Sequence, residues 1–156
     1  MKKNKTISVW LTMLVGPLGL HRPYLIGKFD GFSWMLLLPT LVGGYGVLRA
    51  RSIGLDDHLS WILIPWIGFS ASVAALNAIY YGLMDGEKWN HRFNPDLPSA
   101  HEAGQTNWLT VGGLVAALLL GATVLLSSIA FTFQRYFEYQ SDNAGQAVIV
   151  IRKTAG

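Results

Sequence analysis

The sequence predicts an all-α, polytopic integral membrane protein with about four transmembrane helices, the first two forming a short hairpin. Three observations carry this. Four long stretches lack any charge, at residues 6–20, 31–48, 59–84 and 103–134. Only 13% of the 156 residues are charged, against about 25% in a soluble domain. Six Trp, six Tyr and seven Phe suit helix ends at headgroup level, where amphipathic rings are favoured.

The remaining composition excludes more than it selects. With no cysteine there is no disulfide, thiolate nucleophile or iron–sulfur cluster. The net charge of +3 comes from Lys and Arg scattered in twos and threes between apolar runs, which is a topology signal and not a nucleic-acid stripe.

The first element opens on Met1-Lys2-Lys3-Asn4-Lys5 followed by residues 6–20. This resembles the charged and apolar regions of a signal peptide, but no small-x-small cleavage site follows, so it reads as an uncleaved first span. At 1.5 Å per residue a span needs about 20 residues, so the first two runs are short. In the second run Pro39, followed by Gly43, Gly44 and Gly46, predicts a kink and an early helix end, with a helix over about 31–42 loosening towards 48.

The third run carries Ser70, Ala74, Ala78 and Gly82 at four-residue spacing, a stripe that lets another helix backbone approach closely. The fourth run repeats the device with Gly113, Ala117 and Gly121. These stripes are expected to pack the third and fourth helices on each other or on another subunit. The chain thus divides into a hairpin (1–48), a second helix pair with a loop at 85–108 (49–134), and an extramembrane tail (135–156).

With four spans, the N-terminus, second loop and tail carry eight Lys and Arg, and the first and third loops carry four. The positive-inside rule then expects both termini in the cytoplasm. The third loop alternates charge with aromatics, and its opening, Gly82-x-x-Asp85-Gly86-x-x-Trp89, echoes Gly27-x-x-Asp30-Gly31-x-x-Trp34. In the tail, Ala147-Val148-Ile149-Val150-Ile151 reads as a strand-like apolar run.

Between the first two runs lies Gly16-x-x-Gly19-x-His21-Arg22-x-Tyr24-Leu25-x-Gly27-Lys28-x-x-Gly31. This stretch resembles the core motif of the bacterial TM-two domain, the two-transmembrane-helix family of NINE-like proteins. The resemblance covers about residues 3–46. It implies a membrane hairpin with no known enzymatic activity or cofactor, and it singles out Gly16, Gly19, His21, Arg22, Tyr24, Gly27 and Gly31. Pro23 stands where the family usually has an aromatic residue. The second run closes on Gly46-Val47-Leu48-Arg49 instead of the family's aromatic-rich stretch and Asp, so the chain reads as a divergent member with extra helices.

Arg22, at the end of a short span, needs a headgroup phosphate or a carboxylate. Asp30 and Asp85 are the candidates, and pairing with Asp85 would lock the hairpin against the third helix. The other chemistry-bearing residues read as structural. His21, His58, His91 and His101 show no metal-ligand spacing, and Asp56-Asp57-His58 suits a helix cap. Asn77, the most polar group at mid-span, is expected to hydrogen-bond a neighbouring helix.

No catalytic constellation, cofactor motif or metal set is recognised. The expectation is a non-enzymatic structural or accessory protein of the bacterial inner membrane. Its expected partners are the lipid bilayer and other membrane-protein subunits, with no nucleic acid. A small oligomeric channel or carrier is the alternative.

Overall fold

Apolar runs bounded by carboxylate caps fold here as helices that lie against one another along small-residue faces. The computed structural model describes residues 2–54 and 57–154. Seven α-helices follow in order: α1 (Lys5–Val15), α2 (His21–Ile26), α3 (Gly31–Ile53), α4 (His58–Leu63), α5 (Pro65–Leu83), α6 (Gly86–Phe93) and α7 (Trp108–Thr154). Short 3-10 turns occupy Gly16–Leu18 and Glu102–Gly104.

Among the described residues three stretches are long and apolar enough to cross a membrane: Gly31–Ile53, His58–Leu83 and Glu102–Gly145. The second joins α4 and α5 through a break at Ile64, where Pro65 takes the first position of α5. The expected fourth span is shorter, an apolar helix over Lys5–Leu18.

Helix α5 is the hub. It runs antiparallel to α3, with Gly43 against Ile67 and Gly46 against Leu63. It also runs antiparallel to α7, with Gly82 against Leu114, Gly121 against Ala75 and Gly68 against Ser128. Helix α1 is antiparallel to α5 too: Val9 meets Gly82, and Gly16 meets Ala74.

These contacts fix the depth of the hairpin. Ala74 is nine residues before Leu83, about 14 Å along the helix. Helix α1 therefore enters from the α6 end, turns at Gly16–Leu18 and returns through α2. Thr40 covers that turn, donating to the Pro17 carbonyl at 2.6 Å and lying 2.8 Å from the Ser70 hydroxyl.

Three expectations change. The N-terminus and residues 85–107 share one end of the bundle and do not face opposite sides, because α1 doubles back instead of crossing. Helix α3 does not end near residue 42 but runs through Pro39 to Ile53. Its close contacts at Gly43 and Gly46 hold the later turns, and apolar surroundings offer freed backbone groups no water. Residues 147–151 are not a strand but belong to α7, which is 47 residues long. At 1.5 Å per residue that helix measures about 70 Å, so residues 135–154 of the expected tail prolong it; residues 155–156 lie outside the described residues.

Candidate functional site

The Gly16–Gly31 break is a latch at the α6 end. Gly27 (φ 81°) ends α2, its N–H bonded to the Pro23 carbonyl at 2.9 Å. The chain then reaches Asp30, whose carboxylate starts α3 by accepting from the Ser33 N–H and hydroxyl, both at 3.1 Å. Arg22 closes the turn: its Nε donates to Asp30 Oδ1 at 3.2 Å, and Nη2 makes a closer ion pair with Oδ2. The guanidinium also lies 5.2 Å from the Phe32 ring centre.

The partner of Arg22 is thus Asp30 and not Asp85. Asp30 is held eight residues ahead on the same turn, already oriented as a helix cap. Asp85 does the same duty one helix later, accepting from the Glu87 N–H at 3.1 Å to start α6. The Arg22 guanidinium holds the Asp30 carboxyl well below the usual carboxylate range.

His21 lies fully buried beside this pair, between the rings of Phe32 and Tyr81, with centroids at 6.4 and 6.2 Å. Neither ring nitrogen has a hydrogen-bond partner. Burial first, and the Arg22 charge second, bring its pKa down to about 4 against the opposing pull of Asp30, so the imidazole is neutral at physiological pH. Such orphaned polar atoms cost stability.

The N-terminal residues seal the latch. Both backbone groups of Lys3 meet the Asn94 amide: N–H donates to Oδ1 at 2.7 Å, and the carbonyl accepts from Nδ2 at 3.0 Å. That carbonyl also accepts from Trp89 Nε1 at 3.0 Å. Asn90 Nδ2 donates to the carbonyls of Ser99 and His101, folding the 94–104 segment over α6. Lys5 is buried, its ammonium donating to the Met84 carbonyl and to Thr106 Oγ1 at 2.7 Å. A cation at the last carbonyls of α5 suits the negative end of that helix. Burial pushes the Lys5 pKa down, and the Asp85 charge opposes it. Lys3 Nζ reaches the Leu25 carbonyl at 2.9 Å, and the Asn4 N–H reaches the Tyr24 hydroxyl at 3.3 Å.

The small-residue stripes lie inside the bundle. Ser70, Ala74, Ala78 and Gly82 are buried in α5, and Gly113 and Ala117 in α7. Gly113 admits Val9 and Trp10 of α1, and Gly121 faces Ala75. Gly16 meets Ala74, Gly19 (φ 72°) lies against the backbone of Ser33, and Gly31 opens α3 in free space. Asn77 turns inward on its own helix, donating to the Val73 carbonyl at 2.8 Å. Among the described residues no three His, Asp or Glu side chains form a metal-sized cluster.

Comparison with known protein families, curated proteins and solved structures finds no match. The latch is therefore understood from its own chemistry, and it has a counterpart that the motif reading missed. At the far end of α3, Arg49 Nε and Nη2 donate to Asp57 at 2.6 and 3.0 Å. Asp57 caps α4 through the Ser60 N–H at 3.0 Å and hydroxyl at 2.6 Å; Asp56 lies outside the described residues. Both clamps follow one pattern, Arg-x4-Gly-x2-Asp-x2-Ser-Trp, at residues 22–34 and 49–61. The echo at Gly82, Asp85 and Trp89 keeps the Gly, Asp and Trp but has Asn77 and Lys88 in place of Arg and Ser. A search for that spacing would have found Arg49 and Asp57.

Proposed function

We propose that this chain is a non-enzymatic structural or accessory protein of a bacterial inner membrane, acting as a subunit or interaction partner in a larger membrane complex. The observation that carries the reading is the state of α7. Only 6% of its most apolar window is buried within the protein, and Val115, Leu119 and Leu126 are all more than half exposed. A face this apolar needs lipid or another helix against it. The buried polar side chains around the hairpin, His21 apart, are by contrast engaged with one another. The resemblance of the latch to the TM-two core supports the same reading, with the hairpin shortened to a re-entrant element.

Orientation follows from charge once the hairpin is counted as re-entrant. Lys2, Lys3, Lys5, Arg22, Lys28, Lys88 and Arg92 lie at the α6 end, against Arg49, Arg51 and Arg135 near the α4 end. Arg152 and Lys153 are about seventeen residues beyond Arg135, at the limit where such charges count. This balance favours a cytoplasmic α6 end and N-terminus, with α7 leading outward.

Photo-crosslinking from positions 119 and 126 in native membranes tests the first reading. The expected result is a stoichiometric partner protein; recovery of the chain crosslinked only to itself would favour the oligomeric channel instead. Because the chain lacks cysteine, single cysteines at Glu102 and Asn143 report sidedness directly. Labelling of both from one side by an impermeant reagent would sink the orientation.

A further inference from the structure

One seam of the bundle leaves a continuous furrow between α4–α5 and α7. At the α4 end it opens in a polar cavity of about 210 Å³, where His58 and Trp61 face Arg135, Glu138, Tyr139 and Asp142. The His58 ring centre is 4.5 Å from those of both Trp61 and Tyr139. Arg135 lies 2.9 Å from the Glu138 carboxylate. Trp61 also borders the next cavity, about 360 Å³ and apolar, walled by Ile62, Trp66 and Phe69 on one side and Ile129 and Phe133 on the other. Deeper still, Leu76 and Ile79 face Leu118, Ala122 and Leu125 across a third cavity of about 190 Å³.

The three cavities line up along one seam, the outer two sharing Trp61. Residues 62, 66, 69, 76 and 79 recur at the spacing of a single helix face, as do 118, 122, 125, 129 and 133. From Trp61 to Phe69 alone the furrow is about 12 Å long, most of one leaflet of a roughly 30 Å hydrocarbon layer. Its polar mouth lies where the His58–Leu83 span begins, at headgroup depth.

We propose that this furrow holds one phospholipid with an amino headgroup. The phosphate sits at Arg135 and His58. The ammonium sits at Asp142 and Glu138, against the ring faces of Trp61 and Tyr139. An acyl chain lies along the apolar furrow below. Charge complementarity selects this occupant: the mouth offers both signs within one cavity, which a zwitterionic headgroup satisfies and an apolar helix from a second copy does not. The inference rests on the membrane reading above.

The test is native mass spectrometry of the full chain in mild detergent. It is titrated in parallel with phosphatidylethanolamine, phosphatidylglycerol and phosphatidylcholine, after alkaline extraction of membranes has been scored. The expected result is one phosphatidylethanolamine per chain, bound about tenfold more tightly than phosphatidylglycerol. Arg135→Gln and Asp142→Asn should each weaken it about tenfold, and Ala122→Trp should weaken it by obstructing the deep end. Equal retention of all three lipids by the unaltered protein overturns the proposal without reference to any variant. So does the absence of an adduct, or a dimer that Ala122→Trp dissolves. Release of the protein by alkali would refute the membrane reading itself. A pelleted protein with no adduct refutes the lipid site alone.

Discussion

Arg22 grips the same carboxylate that starts α3: Asp30 accepts from the guanidinium, from the Ser33 N–H and from the Ser33 hydroxyl at once. One residue thus serves as helix cap and counter-ion together. Asp30→Ala should cost more than Arg22→Gln, because it removes the cap as well as the ion pair. We expect about 1–3 kcal/mol for Asp30→Ala, read as a lowered unfolding temperature in detergent. Charge reversal of both residues should fail to recover stability, since arginine at position 30 cannot cap. A rescue on combining Arg22→Asp with Asp85→Arg would contradict this assignment.

His21→Phe should stabilise the protein. The substitution removes two buried ring nitrogens without hydrogen-bond partners and keeps an aromatic ring between Phe32 and Tyr81. A gain of about 1 kcal/mol at neutral pH is expected, and a loss of 2 kcal/mol or more would show that the imidazole is held for a partner.

The same histidine gives a pH signature. Its folded pKa, about 4, lies below the ordinary 6.5, so the unfolded chain binds the extra proton first. Its contribution is complete above pH 6.5 and is lost progressively as the pH falls towards 4. His21→Phe should flatten the stability profile across that window, and an unchanged slope would assign the acid sensitivity to other groups.

Gly19 and Gly27 separate two reasons for glycine. Both have positive φ, but an added Cβ at Gly19 falls 2.6 Å from the Ser33 carbonyl oxygen, whereas at Gly27 nothing lies within 4 Å. Gly27→Ala should cost about 1 kcal/mol from backbone strain alone. Gly19→Ala should cost clearly more and loosen α2 from α3, measurable as faster amide exchange around Ser33.

Asn94→Leu should release the N-terminus. It removes the two hydrogen bonds of Asn94 to the Lys3 backbone, leaving the N–H without its partner while the carbonyl keeps Trp89 Nε1, at a cost of about 1–3 kcal/mol. Faster proteolysis after Lys3 or Lys5, with α5–α7 contacts intact, is the expected readout.

The long apolar helices were legible because charge-free length is a strong signal and the caps Asp30 and Asp57 stand at the starts of two of them. The depth of α1 was not. Residues 6–20 are nearly long enough to cross, and only the contact of Gly16 with Ala74 shows where the chain turns back. The partner of Arg22 was open because two carboxylates were equally plausible in sequence, and the turn at Gly27 decided between them. The β-branched run near residue 149 favours a strand locally, but it continues a helix already propagating from Trp108. The second clamp was visible in the spacing of Arg49, Gly54, Asp57 and Ser60, which the shorter echo of glycine, aspartate and tryptophan concealed.

The bond between Lys3 and Asn94 also sets an order of events. The two residues are 91 positions apart, so Lys3 leaves the ribosome well before its partner and waits for it until α6 has been made. At about 5–20 residues per second that is a wait of several seconds, during which α3, α4 and α5 can already be folding. The seal between Lys3 and Asn94 therefore closes after the hairpin has its contacts with Thr40 and Ala74 within reach. A ribosome stalled before residue 94 should leave Lys3 and Lys5 exposed to protease.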